Sequence, residues 1–281
     1  MIYMIVILLF AVIFLGLMFF LNKRHNDVKN YLLIAVIGGI ISVIICLLIE
    51  YFNGFLLDAF FSEHYYWEDG VYYFDDSLSK NLFVIIESFI LAGLIEETVK
   101  YTTVFCLNEK RHHKLYTYLE CIIPFLIIGV VFSVIENYMY IKNYENVGLT
   151  RVIIFFAGHP LYAMIFGNFY YKHRVNIEIN NIYYNAKKNG IKIRNKMRSK
   201  RKPLIIGMFL SILGHGMHNF IGGVTEEAYY VFWVLEMSLF ILLLIWLIKG
   251  KYKSAKKDAL GVFSKEYPEY TLEELTEMKI I

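Results

Sequence analysis

Apolar runs of close to twenty residues alternate with short polar segments along most of this chain. Seven runs qualify as membrane spans: 1–21, 31–49, 82–106, 118–141, 151–171, 203–221 and 229–248. A helix needs about 20 mostly apolar residues to cross the hydrocarbon core. Lipid offers backbone groups no water to bond, so each run predicts a helix. The expected fold class is all-α, a polytopic membrane protein of about seven transmembrane helices. One transmembrane domain is expected over 1–257, with a soluble tail over 258–281. In that tail Thr271 and Glu274 have capping-box spacing and predict one short helix.

Charge orients the spans. Segments 22–30, 107–117, 172–202 and 249–257 carry 3, 3, 11 and 5 Lys and Arg. Segments 50–81, 142–151 and 222–228 carry 1, 2 and 0. The positive-inside rule makes the first group cytoplasmic, with the N-terminus outside and the C-terminus inside. Lys23 and Arg24 follow the first apolar run instead of preceding it, so that run reads as a retained span and not a signal peptide. The basic stretch Lys187–Lys202 suits an anionic inner leaflet. Nucleic acid is not an expected partner for a loop tethered between two spans. The outer segment 50–81 is acidic and aromatic and reads as a solvated loop with interfacial rings.

Composition agrees. Of 281 residues 58% are hydrophobic and 17% aromatic, and only 19% are charged, against about 25% in soluble domains. Cys46, Cys106 and Cys121 lie in or beside apolar runs, in no metal or redox spacing, and read as small buried hydrophobes.

Several ionisable residues stand in the wrong solvent. A charge at mid-bilayer costs at least about 2.5–3.5 kcal/mol, so it persists where it pairs or where function needs it. Glu87 and Glu120 lie near span ends and read as structural. Glu236, in the last span, either pairs structurally or lines a cavity. His218 reads as a hydrogen-bonded core histidine. The third span carries Glu96-Glu97-Thr98-Val99-Lys100. Glu96 and Lys100, four apart, share a helical face and can pair, and two adjacent buried acids supply a base suited to proton transfer. Glu136 follows Gly129, a residue that lets helices approach closely. His159 precedes Pro160, which frees a backbone carbonyl one turn earlier. His215 and Asn219, four apart, can offer two donors to one developing oxyanion. These groups predict a polar cavity between helices 3–6.

EETVK at 96–100, FSVIE at 132–136, GH at 158–159 and HGMHN at 215–219 resemble the PrsW family of membrane proteases. That family shares its fold with the CAAX prenyl endopeptidase and bacteriocin-processing group. The patterns EExxK, FxxxE, a lone His and HxxxN occur in that order, each within a predicted span, over roughly residues 80–222. The resemblance implies an intramembrane endopeptidase of the cell membrane. Its substrate would be a single-span membrane protein such as an anti-sigma factor, cut near the outer face. It places catalysis on Glu96, Glu97, Glu136, His159, His215 and Asn219, supported by Lys100, with Glu96 taking a proton from water and His215 and Asn219 binding the oxyanion. A divalent metal such as zinc has expected ligands in Glu97, Glu136, His159 and His215, and a metal-free glutamic mechanism stands beside it.

Three other readings remain at this point, one of them a non-catalytic membrane scaffold, in which the buried charges would have no use. A CAAX-type or bacteriocin-type protease would carry His in the second motif, where this chain has Glu136. An ion- or proton-coupled transporter or a membrane receptor would also bury Glu, Lys and His.

Overall fold

The first long helix, α1 (Val28–Phe61), shows how this chain solves its surroundings. Ala35, Gly39, Ser42 and Cys46 recur every third or fourth residue and are buried. Ile37, Ile41, Ile44 and Leu48 keep the same rhythm on the opposite face and stay exposed. An apolar stripe turned outward, with small and polar residues turned inward, is the reverse of a soluble helix and suits lipid. The computed structural model describes residues 9, 11–13, 15–16, 28–61, 65–68, 71–109, 117–143, 149–224, 226–250 and 253–280. The predicted span 1–21 lies largely outside the described residues. The part of it that is described is helical, and Ala11 is buried against Val130.

After α1 an antiparallel hairpin pairs β1 (Tyr65–Glu68) with β2 (Val71–Phe74), Tyr65 opposite Phe74. The expected outer loop 50–81 is thus mostly ordered, and its first twelve residues continue α1. Asp76 then caps α2 (Ser77–Ile85), its Oδ1 accepting from the Ser79 N–H at 2.8 Å, which supplies one of the bonds a helix start lacks. The chain stays helical through a π-helix (Ile86–Glu96) into α3 (Glu97–Glu109). Next come α4 (Tyr118–Asn143), α5 (Leu149–Lys188), α6 (Arg201–Val224) and α7 (Glu226–Gly250).

Among the described residues four helices are long and apolar enough to cross a membrane: Leu32–Phe55, Tyr118–Lys142, Arg201–Gly222 and Ala228–Gly250. The predicted spans 82–106 and 151–171 are helical as well. Helix α4 is the centre. From Tyr118 to Phe132 nearly every side chain is buried, packed by α1 and α5. A helix apolar on all sides is one enclosed by other helices.

The basic segment 172–202 is not the loop that its charge suggested. Helix α5 runs 40 residues, to Lys188, about 60 Å at 1.5 Å per residue. Its far end carries Ile179, Ile182 and Tyr183, which pack with Phe263 and Tyr267 of α8 (Ala255–Glu266) and its C-cap, and with Leu275 of α9 (Leu272–Glu277). The expected tail is therefore a folded cap. Arg198 Nη2 donates to Glu266 Oε1 at 2.8 Å, and the Tyr183 hydroxyl donates to the same carboxylate. Burial pushes the Glu266 carboxyl up, and these two bonds outweigh it, so its pKa lies below the ordinary value. The capping box is formed: Glu274 N–H donates to Thr271 Oγ1 at 3.2 Å, and Thr271 N–H to Glu274 Oε2 at 2.7 Å.

Candidate active site and metal centre

Two close crossings set the geometry of the site. A Cβ on Gly129 of α4 would stand 2.7 Å from the His159 carbonyl oxygen of α5. Only a residue without a side chain allows that contact, and Glu136, two turns on, reaches back to His159 Nε2 through its side chain. A Cβ on Gly93 in the π-helix would stand 2.9 Å from the Ile212 carbonyl of α6. That crossing lays the start of α3 against His215. The π-helix ends at Glu96, and such widened turns recur at functional sites.

Lys100 is the hub. Its Nζ lies 2.8 Å from Glu97 Oε1, 3.1 Å from Glu96 Oε2 and 2.8 Å from His159 Nδ1, and 4.1 Å from the Phe132 ring centroid. The sequence paired Lys100 with Glu96. The structure gives it both acids, because positions three and four residues back both face it on a helix. His159 Nε2 hydrogen-bonds Glu136 Oε2. An ammonium can only donate, so His159 accepts at Nδ1 and donates from Nε2 to Glu136. His215 Nδ1 lies 2.8 Å from Glu97 Oε1. A carboxylate accepts, so this nitrogen carries the proton and Nε2 is left as the ligating nitrogen.

Access to the cluster is graded. The side chains of Glu97 and Lys100 are each 1% exposed, His215 4% and His159 5%. Glu96 reaches 14% and Glu136 33%. Glu136 and Glu96 therefore form the mouth, and Glu97 stands behind. Asn219 is half-buried one turn beyond His215.

Glu96, His159 and His215 each offer a donor atom within 4.8 Å of the other two. The sequence had named Glu97 and Glu136 for a metal in place of Glu96. In the structure those two stand behind the imidazoles, Glu97 on His215 and Glu136 on His159, as outer carboxylates orient ligating histidines. Two nitrogens and one carboxylate oxygen suit zinc. At about 2.0–2.1 Å from the metal, tetrahedral ligands lie roughly 3.3 Å apart, so a small contraction closes the set. The Lys100 ammonium already stands among these donors as a cation. The residues fit a divalent metal, which would take His159 Nδ1 in place of the ammonium now bonded to it.

Glu236, undecided from sequence, is paired. Its carboxylate accepts from His218 Nδ1 at 2.6 Å and from the Tyr162 hydroxyl, and Tyr229 approaches His218 Nε2 at 3.4 Å. The Tyr162 ring stacks on His215, centroids 5.1 Å apart at 17°. His218 is the hydrogen-bonded core histidine that the sequence suggested.

One acid was missed. Glu50 of α1 is half-buried and lies within electrostatic reach of Glu96, Glu136 and Lys100. It closes the apolar run that ended the predicted second span at 49, and so reads as the start of a loop. The buried rhythm of Ser42 and Cys46, continued by four residues, points to it.

The PrsW family intramembrane metalloprotease pattern matches residues 26–247 of this chain. Protease PrsW of Clostridioides difficile (strain 630) is 25% identical to it over 171 residues, 59% of this chain. That stretch is 61% of the relative, so the chain spans less than two thirds of the length of the curated relative it matches. No solved structure matches.

Proposed function

The chain belongs to the PrsW family of intramembrane metalloproteases, and from that premise we propose that it cleaves a membrane-anchored protein at the Glu/His centre between α3 and α6. One observation carries the reading: Glu96, His159 and His215 converge within 4.8 Å. They do so inside a helical body whose outer faces are apolar. Charges gathered there need a function to offset their insertion cost.

Glu96, His159 and His215 would hold a divalent metal. When bound, it supplies Lewis-acid polarisation and brings the pKa of a bound water to about 7. The chain's own groups divide the remaining tasks by their exposure. Glu136, the most open of the acids, accepts the proton of the attacking water and returns it to the leaving amine as the C–N bond breaks. His159 steadies Glu136 through Nε2. Glu97, too deep to meet substrate, fixes the His215 ring. Asn219 donates to the carbonyl oxygen as negative charge develops there. Glu96, to which the family resemblance gave the water, is held by Lys100 in the donor group.

A metal-free reading draws on one observation, the Lys100 ammonium among the donors. In it Glu96 takes the proton, and Lys100 and His159 offset the charge.

The substrate class in this reading is a single-span membrane protein, an anti-sigma factor among them, cut near the outer face of the plasma membrane. The N-terminus would then lie outside and the C-terminus in the cytoplasm. The test reconstitutes wild type, Glu136→Gln and His215→Ala in liposomes with a panel of single-span proteins, and maps cuts by mass spectrometry. Wild type cleaves and both variants lose the activity. A chelator abolishes cleavage and added zinc restores it; chelator resistance selects the metal-free route. Equal cleavage by all three proteins overturns the assignment.

A further inference from the structure

The basic stretch between α5 and α6 does not present one uniform charge. Segment 191–200 runs back along α5 and is held by side chains of that helix. Asn180 bonds both the N–H and the carbonyl of Arg198, at 2.8 and 2.9 Å. Asn176 Nδ2 donates to the Ser199 carbonyl at 2.9 Å, and His173 Nδ1 to the Lys200 carbonyl at 2.7 Å. His173, Asn176 and Asn180 share one face of α5. Two cations of the segment are taken up by the cap: Arg194 meets Glu269 at 2.9 Å and Arg198 meets Glu266 at 2.8 Å. The segment begins where the Ile191 N–H donates to the Ala186 carbonyl at 3.0 Å. It ends at His173, about 20 Å away along the helix at 1.5 Å per residue.

That end is where the lipid-facing surface starts. The apolar helix Arg201–Gly222 leaves from it, and Ile205 and Phe209, four apart on one face, are 66% and 61% exposed. Lys200, Arg201 and Lys202 are exposed at its start. Lys172, next to His173, is exposed as well, with its Nζ 4.5 Å from the Phe169 ring centroid. Among the described residues none of these four cations forms an ion pair. Asp258, at the same level, already accepts from the Tyr171 hydroxyl at 2.7 Å.

We propose that Lys172, Lys200, Arg201 and Lys202 form a binding site for anionic phospholipid headgroups in the leaflet beside the cap. A headgroup phosphate there meets the four cations, and its acyl chains continue down the Ile205 and Phe209 face. The bonds to Ser199 and Lys200 fix the backbone that carries the cations, so less freedom is lost on binding. Attraction to an anionic leaflet fades within a Debye length, about 10 Å at 0.1 M salt. Lys187, Lys188 and Lys192, about 20 Å further out along α5, therefore contribute little. By charge alone the whole stretch Lys187–Lys202 suits the leaflet. The fold selects its last three residues and adds Lys172 from another element.

The experiment uses the full chain in detergent, with phosphatidylglycerol or phosphatidylcholine added. Native mass spectrometry reads the lipid retained. Wild type is expected to hold phosphatidylglycerol in preference to phosphatidylcholine. Each cation lost near the headgroups costs about fivefold, so Lys172→Gln/Lys200→Gln/Lys202→Gln should weaken phosphatidylglycerol binding on the order of 100-fold. Lys187→Gln/Lys188→Gln/Lys192→Gln removes the same charge from the far end and should leave binding unchanged. All six side chains are exposed, and thermal unfolding checks that both variants stay folded. Equal losses in the two variants, or no loss in the first, overturn the site. Wild type that retains both lipids equally overturns it too. So does displacement of phosphatidylglycerol by inorganic phosphate at equal concentration, since the ligand is then a free anion and not a lipid.

Discussion

Two buried histidines on α6, three residues apart, sit in matching pairs with opposite consequences. His215 Nδ1 meets Glu97 at 2.8 Å, and His218 Nδ1 meets Glu236 at 2.6 Å. Around Glu236 the other partner is the neutral Tyr162 hydroxyl. One acid held by two donors is a satisfied buried group. Around Glu97 stands Lys100, and beyond it Glu96, His159 and Glu136, so acids and imidazoles from several elements share one cation. Burial and pairing therefore do not mark the site. An arrangement of donors that still converges on a common point does.

The comparison breaks most visibly at Lys100. Replacing it with Met leaves Glu96 and Glu97 without their shared cation at almost no exposure. Losing one partner of a buried ion pair costs about 3–5 kcal/mol. Thermal unfolding in detergent should show Lys100→Met strongly destabilised, with Glu97→Gln/Lys100→Met recovering part of the loss. A Lys100→Met protein as stable as wild type would mean that the acids do not depend on this cation.

Next comes the pair of carboxylates themselves. Glu97→Gln removes the negative charge that Lys100 and His215 share at one oxygen, and so loosens the hold on His215. Substitutions of this kind cost about 10–100-fold in metal affinity or activity. Glu236→Gln keeps an oxygen for one of the two donors, which bond different oxygens of the acid, and His218 can meet the amide N–H with an unprotonated ring nitrogen, so cleavage and zinc retention stay near wild type. Measured side by side in liposomes, the two variants should separate clearly. Equal losses would erase the distinction between the clusters.

Much of the centre was legible because a charge inside an apolar run has few explanations. The EETVK stretch, Glu136, His159 and His215 all announced themselves in that way, and Gly129 marked the crossing that brings Glu136 to His159. Partners across helices were not legible. Spacing fixes which residues share a face of one helix, and says nothing of which neighbour that face meets. Hence the ligand set expected from the sequence contains Glu97 and Glu136, while the donor atoms that converge within 4.8 Å belong to Glu96, His159 and His215. Glu50 escaped because it lies where apolar sequence gives way to an acidic, aromatic stretch, and a helix that outruns its apolar segment leaves no mark of its true end. The folded cap escaped for a related reason. The basic charge of 172–202 describes the surface of α5 and hides the Ile179, Ile182 and Tyr183 face beneath.

Tyr162 gives the finest test, because it touches both clusters with different parts of itself. Its hydroxyl bonds Glu236, while its ring lies over His215. Tyr162→Phe removes the first contact and keeps the second. Glu236 retains His218, so the expected loss of stability is about 0.5–1.5 kcal/mol, the net worth of one buried hydrogen bond. Cleavage should not change, since the His215 ring keeps its stacking partner and its bond to Glu97. If cleavage by Tyr162→Phe instead falls as far as by Glu97→Gln, with unfolding still within that range, the hydroxyl acts on the reaction through Glu236. The two histidine pairs would then be one network, and the smaller cluster would belong to the site.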